Sequence, residues 1–472
     1  GIRICNPDPE IRVLLYTIFA ELGLRDELFS LVDDEIRRIP PGDTVRIDTG
    51  FYPIQSDVYV GPDDAGAPGR QVVFEASPLG VCFDRGTNSG MGWNIGADRV
   101  TVRTARPSGP TAAPATWMRV CGGDTGIQLM RSAGFHLQRV TMSRARQYGL
   151  SALYSYDGII ENCLSYSNMT GFYLEGTARS RLENNTGSHN SLYGIHFSGG
   201  GDMTVRNNIF TGSGDMWKAA VFISSLYGSN SLDFNLLSVT GQAAPVSLNH
   251  DRLWSLSDIH TRLGQELHSV ILPPAFVDPD GADDILGTGD DDFHLQSTAG
   301  SYHDGAWTAD GADSPGIDLG WGDAAFEPEP NSSTPATAEI GRRNLGAYGG
   351  TEQASLTHAA THLWLTVPAG GESILDRSND VRIGWRTTGT GWATNDTITI
   401  LVSSDGGREF HALTGAEALD PTDLQFSWDI SQAVASRAYL IRVQKTEGGT
   451  PFSHNDLLFR IGIGAPLYVN DA

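Results

Sequence analysis

The sequence predicts an all-β protein, built mainly as a right-handed parallel β-helix with a smaller β-sandwich after it. Three observations carry that prediction. A coil-length repeat runs from about residue 135 to 249. The chain holds 56 Gly and 23 Pro among 472 residues with only 19% charged side chains, a composition for many turns and few helices. From about His358 the repeat gives way to short alternating strands and Gly-rich turns.

The repeat has two elements that advance together. In the first, an apolar residue leads into Asn-rich turn chemistry. Its copies are Ile160-Glu161-Asn162-Cys163, Leu182-Glu183-Asn184-Asn185, Val205-Arg206-Asn207-Asn208 and Leu232-Asp233-Phe234-Asn235, stepping by 22, 23 and 27 residues, with Leu137-Gln138-Arg139-Val140 one coil earlier. In the second, Gly149-Leu150-Ser151-Ala152, Gly171-Phe172-Tyr173-Leu174 and Gly194-Ile195-His196-Phe197 step by 22 and 23, with Ala220-Val221-Phe222-Ile223 as a fourth copy. Period-2 alternation makes each of these a short strand. Leu150/Ala152, Phe172/Leu174, Ile195/Phe197 and Val221/Ile223 then point inward, and Ser151, Tyr173, His196 and Phe222 point outward. One coil cannot bury its apolar face alone, whereas stacked coils can. Asn tolerates left-handed geometry at a bend, and its amide can bond to the coils above and below.

A chain of this length exceeds one ordinary core, which calls for a large domain and a smaller one. An open coil is an exposed sheet edge that needs cover. Residues 1–40 are therefore expected to form a helical N-terminal cap, since the stretch from Ile11 to Leu24 reads as an amphipathic helix carrying Arg12 and Glu21. Residues 41–355 are expected to form the β-helix, 356–465 the sandwich, and 466–472 a linker or the start of a further unit.

The Asn-turn coils resemble the parallel β-helix repeats of polysaccharide lyases, pectinases and related carbohydrate-associated proteins. Pro41-Gly42-Asp43-Thr44-Val45, with Asp48 to Tyr52 and the run from Gly66 to Ala76, resembles the first coils of that superfamily. Ser314 to Gly320 and Asn344 to Gly350 resemble the terminal coils of large bacterial surface β-helix proteins. Val381 to Arg386, Phe426 to Asp429 and Tyr439 to Val443 resemble strands of immunoglobulin-like or fibronectin-type modules. The resemblance implies an extracellular or cell-surface protein linked to carbohydrate. It also implies a segment of a longer chain, with any export signal outside this sequence.

The formal charge of −24 repels nucleic acids and anionic membranes, so a nucleic-acid role is excluded. No apolar run approaches the ~20 residues of a membrane span, and membrane insertion is not expected. Cys5, Cys82, Cys121 and Cys163 show no metal-ligand spacing. Cys163 reads as a small buried residue, and Cys82 with Cys121 is the pair to test for a disulfide. The NTD, GHG and RIK motifs of pectin hydrolases and the DPHD motif of uronate epimerases are missing from the sequence.

Lysis of an acidic glycan needs a base beside the uronate and a cation to neutralise its carboxylate. Tyr173, His196, Arg181 and Lys218 are the candidate catalytic residues, brought near one another if coils stack about 4.8 Å apart. Tyr154, Tyr156, Glu175, His189 and Tyr193 are candidate carbohydrate contacts, because aromatic rings stack on the apolar faces of sugars. Asp278, Asp280, Asp283, Asp284, Asp290, Asp291 and Asp292, separated by Gly281, Gly287 and Gly289, form a candidate Ca²⁺ loop that lacks the terminal Glu of an EF-hand. Two functions fit these residues. One is an extracellular module that contacts a polysaccharide or builds a layer with other copies of itself. The other is a polysaccharide lyase, or less readily a glycoside hydrolase, acting on an acidic glycan.

Overall fold

The computed structural model describes residues 2–5, 11–14, 39–107, 116–303, 306–321, 329, 343–378, 380–455 and 457–462. Three parallel sheets wrap one apolar core. Sheet A stacks Thr44–Ile47, Val72–Ala76, Val100–Thr104, His136–Gln138, Ile159–Glu161, Arg181–Glu183, Thr204–Arg206 and Ser231–Asp233. Sheet B runs from Gly50–Pro53 to Val270–Ile271, and sheet C from Val58–Val60 to Ala244–Leu248. Each successive coil adds one strand to each sheet.

Period-2 alternation sets the interior. Leu150, Phe172, Ile195 and Val221 pair in register down sheet C, as do Ala152, Leu174, Phe197 and Ile223. All eight are buried in the central cluster, with Ile160, Leu182, Val205 and Leu232 of sheet A facing them.

The corner between sheets A and B is closed by asparagines with divided roles. The first asparagine of the turn, Asn162, Asn184 or Asn207, adopts positive φ (51°, 53° and 60°) and so makes the bend. At the next position Asn185, Asn208 and Asn235 form a ladder along the axis. Asn185 donates its backbone N–H and its Nδ2 to Asn208 Oδ1 at 2.9 and 3.0 Å, and Asn208 donates both to Asn235 Oδ1 at 3.0 Å. The same Nδ2 groups reach back to the carbonyls of Ile160 and Leu182 at 2.9 and 3.0 Å. Glu266 ends the ladder by accepting from Asn235 Nδ2 and the Ser269 hydroxyl.

At the N-terminal edge, Ile2–Cys5 pairs antiparallel with both Thr44–Ile47 and Ile11–Leu14. The expected helical cap is corrected over Ile11–Leu14. The unpaired edge of sheet A offers a row of hydrogen-bond partners that an extended strand can take and a helix cannot. Residues 15–38 lie outside those described. A short α-helix of about two turns, Leu256–Leu263, sits at the other end of the solenoid, capped by Ser255 and by Gly264 at φ 63°.

Sheet B carries apolar side chains on its outer face as well. Leu164, Ile209, Leu236 and Val270 are covered by Phe276, Phe293, Leu295, Ile317, Leu345 and Ala347 of the returning segment, forming a second core. That segment is pinned by the bend asparagines: Asn162 Nδ2 donates to the Ala347 and Gly349 carbonyls at 2.8 Å, and Asn184 Nδ2 to Asn344 at 2.8 Å.

Beyond it, a three-stranded sheet (His362–Val367, Val381–Thr388, Gln425–Trp428) and a mostly antiparallel second sheet centred on Ile398–Ser403 and Ser436–Lys445 enclose a separate core around Ile383, Trp385, Ile400 and Ile441. Arg386 lies 4.2 Å from the Phe234 ring and Arg382 meets His268, which joins this unit to the solenoid. Cys82, Cys121 and Cys163 are free thiols, and Cys163 is fully buried.

Asn208→Ala removes the middle of the ladder and leaves buried backbone groups unpaired. It is expected to cost about 2–4 kcal/mol, read as a lower denaturant midpoint with unchanged slope. Glu266 gives a pH signature. Burial pushes its carboxyl from 4.5 up to about 7, so the folded state holds a proton that the unfolded chain releases. Its contribution is complete below the unfolded value and is lost as the pH rises through about 7. The melting temperature of Glu266→Gln should therefore gain on the wild type between about pH 5 and about pH 8, and a pH-independent difference would contradict this.

Candidate active site

Of the three outer faces, that of sheet B is covered. The outward side of sheet A carries one register column of mostly charged residues: Arg46, Glu75, Arg103, Gln138, Glu161, Glu183, Arg206 and Asp233. Within this column Arg103 pairs with Glu75 at 2.7 Å and Arg206 with Glu183 at 3.0 Å, while the His136 ring, from the neighbouring column, lies 2.9 Å from Glu161. A cavity of 530 Å³ opens at the N-terminal end of this face, lined by Arg46, Glu75, Arg103, Arg106 and Gln138. Arg46 and Arg103 share Glu75, at 3.6 and 2.7 Å.

Sheet C is different. Its outward column Ser151, Tyr173, His196, Phe222 and Ser247 runs beside a second column of Tyr148, Thr170, Tyr193 and Ala219. Coil spacing of about 4.8 Å places successive rings in contact. Tyr148 stacks on Tyr173 with centroids 4.4 Å apart, and Tyr173 meets His196 edge-on at 5.0 Å. His196 then touches Tyr193 at 5.4 Å and Phe222 at 4.7 Å, while Tyr193 stacks on Phe222 at 4.5 Å. His250 follows, 5.3 Å from Phe222. The neighbouring rings leave Phe222 only 5% exposed although it points away from the core.

The polar groups on this face are organised around Glu175. Its two carboxylate oxygens accept the phenol hydrogens of Tyr154 at 2.6 Å and Tyr173 at 2.7 Å. These two bonds hold the Glu175 carboxyl below the usual range, so it is an anion. Burial, and then the bond to Glu175, pushes the Tyr173 phenol up to about 12. Burial lowers the His196 imidazole to about 4, against an opposing pull from Glu175. At neutral pH the face therefore presents a neutral imidazole beside a protonated phenol, a potential base next to a potential acid. His196 Nε2 lies 2.8 Å from the Ser224 hydroxyl, which orients the ring.

The structure thus brings Tyr173, His196, Glu175, Tyr154 and Tyr193 onto one face. It places others elsewhere. Arg181 belongs to the outer face of sheet A, 3.8 Å from Glu183, because it lies one strand away in the same coil. His189 follows sheet B with φ 49°, its ring packed against Phe293 at 5.7 Å and under the returning segment. Lys218 stands at the margin of sheet C, just before Ala219, with its backbone N–H on the Asp215 carbonyl. Tyr156 lies in the turn between sheets C and A, beneath the Arg179 guanidinium at 5.0 Å.

Tyr148, Ser224 and His250 were not singled out by sequence. Tyr148 had a usable signal, since it precedes the repeating glycine at the same position as Thr170 and Tyr193. His250 had none, because it follows the last parallel strand of the sheet.

The acidic loop folds over sheet B, where Arg119 donates to the Gly287 carbonyl at 3.2 Å. The Thr288 hydroxyl lies 2.6 Å from Asp290, 3.3 Å from Asp283 and 3.4 Å from Asp291. Asp292 does not join them and instead engages His294 at 2.6 Å and His303 at 3.4 Å. Asp278 is raised by burial and by Asp280, Asp284 and Asp292.

By nuclear magnetic resonance, the His196 imidazole is expected to titrate near 4, with Glu175→Gln moving it lower because an attracting anion is removed. An upward move would refute this arrangement of charges.

A family model for the right handed beta helix region matches residues 115–237. No curated protein matches the chain. Among solved structures, the chain is similar to the mannuronan C-5 epimerase A-module of Azotobacter vinelandii at 15% identity, over 45% of this chain and 70% of that one, with a TM-score of 0.23. It is also similar to a periplasmic alginate epimerase at 12% identity, over 52% of this chain and 77% of that one, with a TM-score of 0.22. The region from 115 to 237, which contains Tyr173 and His196, is thus recognisable as right-handed β-helix from sequence and structure alike.

Proposed function

We propose that the outer face of sheet C holds a uronate-containing polysaccharide and that Tyr173 and His196 exchange protons with it. The carrying observation is the contact at 5.0 Å between a neutral imidazole and a protonated phenol inside a continuous row of rings. Neutral His196 accepts the proton from the carbon beside the uronate carboxylate. In a lyase reaction the electron pair forms the new C=C bond, the glycosidic C–O bond breaks, and the Tyr173 phenol protonates the departing oxygen. Glu175 fixes the phenol, and Tyr148, Tyr193 and Phe222 seat the sugars through their apolar faces. The protein works outside the cell or at its surface, with the C-terminal unit as an immunoglobulin-like spacer.

A second reading, binding of a glycan without bond cleavage, is favoured by the charge acting on His196, which comes from the anion Glu175. A uronate carboxylate there needs a cation supplied with the substrate or from the margin.

The test is incubation with pectate, alginate and glycosaminoglycans, with and without Ca²⁺, following ultraviolet absorbance from unsaturated uronyl ends. Cleavage is expected, and His196→Ala and Tyr173→Phe should each lower it at least about 100-fold. Glycan binding without new absorbance would replace the catalytic reading by the second one. Neither binding nor cleavage would refute both.

A further inference from the structure

Where the solenoid meets the C-terminal unit, three side chains of metal-binding type face one another. Asp313 lies in the returning segment of the solenoid, His358 precedes the C-terminal unit, and His362 opens its first strand, His362–Val367. One ligand atom from each lies within 4.8 Å of the other two, and among the described residues this is the group of three that meets that distance.

Each of the three is already oriented. Asp313 Oδ1 accepts from the Thr298 backbone N–H at 2.7 Å and hydroxyl at 2.8 Å, while Oδ2 lies 4.0 Å from His358 Nδ1. His358 is wholly buried, with Nδ1 donating to the Ala360 carbonyl at 2.9 Å; Nε2 therefore carries the lone pair, which the Thr388 hydroxyl reaches at 3.4 Å, a long contact that a metal ion would displace. The His362 ring stacks on Trp364 at 5.4 Å and stands 4.9 Å from that of His358 at 82°. Its Nε2 is buried without a hydrogen-bond partner. A buried polar atom left in that state is costly and calls for an explanation.

We propose that Asp313, His358 and His362 form a site for one divalent transition-metal ion of the Zn²⁺ class, which clamps the C-terminal unit to the end of the solenoid. Two imidazoles and one carboxylate are a donor set that Zn²⁺ takes, with water completing the fourth position. Ca²⁺ and Mg²⁺ prefer all-oxygen ligation, so they are disfavoured here. Bonds of about 2.0–2.2 Å require the ligand atoms to close by roughly an ångström, within reach of side-chain rotation. Thr298 and the Ala360 carbonyl are outer partners of the kind that hold metal ligands in place. Because ligands come from both sides of the junction, the ion stabilises the docked arrangement by linkage. This site is independent of the sheet C reading.

The full chain, stripped with chelator and dialysed, is titrated with Zn²⁺ by calorimetry and metal analysis, with Co²⁺ absorption reporting coordination. One ion per chain, a metal-dependent rise in melting temperature and visible Co²⁺ bands of a four-coordinate site are expected. His362→Ala and Asp313→Asn should each weaken Zn²⁺ affinity at least about tenfold and remove the rise in melting temperature. If either variant fails to fold, Thr298→Val removes the hydroxyl bond that helps hold the Asp313 carboxylate, without removing a ligand, and should also weaken binding. Sub-stoichiometric Zn²⁺ in the wild type, or undiminished affinity in the folded variants, would overturn the proposal.

Discussion

The bend between sheets A and B lies inside the protein, where its backbone amides have no water to bond. Asn185, Asn208 and Asn235 resolve this by bonding to each other along the axis and to the carbonyls one coil back. Each asparagine therefore fixes the position of the next coil. A shift by one residue would break the ladder and turn every inward side chain to the other face of its sheet. The alignment of side chains on all three outer faces follows from this corner.

Alignment then gives each face its own chemistry. On sheet A, aligned charges form ion pairs. On sheet B, aligned apolar residues create a surface that water disfavours, and the returning segment covers it. On sheet C, aligned rings half-bury one another, and that partial desolvation is what keeps His196 neutral and Tyr173 protonated. The ionisation states at the candidate site are thus a product of the stack as much as of the residues themselves.

The returning segment connects these faces to the C-terminal unit. It is anchored on the bend asparagines at one point and carries Asp313 at another. The junction therefore rests on two kinds of contact: the guanidinium groups of Arg382 and Arg386 against His268 and Phe234, and the cluster of Asp313, His358 and His362. Both draw partners from segments far apart in sequence.

Sequence determined the solenoid, because a 22- to 27-residue step with alternating strands and paired asparagines encodes both coil length and corner. It also placed Tyr173 and His196 on one outward column, since period-2 alternation and the repeat step together locate a residue on a coil. Tertiary structure decided what alternation within one strand cannot express. Arg181 and His189 share coils with the candidate pair, yet adjacent strands of a coil face different directions, so they fall on sheets A and B. The stretch Ile11–Leu14 became a strand because Ile2–Cys5, itself paired to the first strand of sheet A, offered it an open edge. The meeting of Asp313 with His358 and His362 depends on how the returning segment folds back, a long-range contact with no periodic signal in the chain.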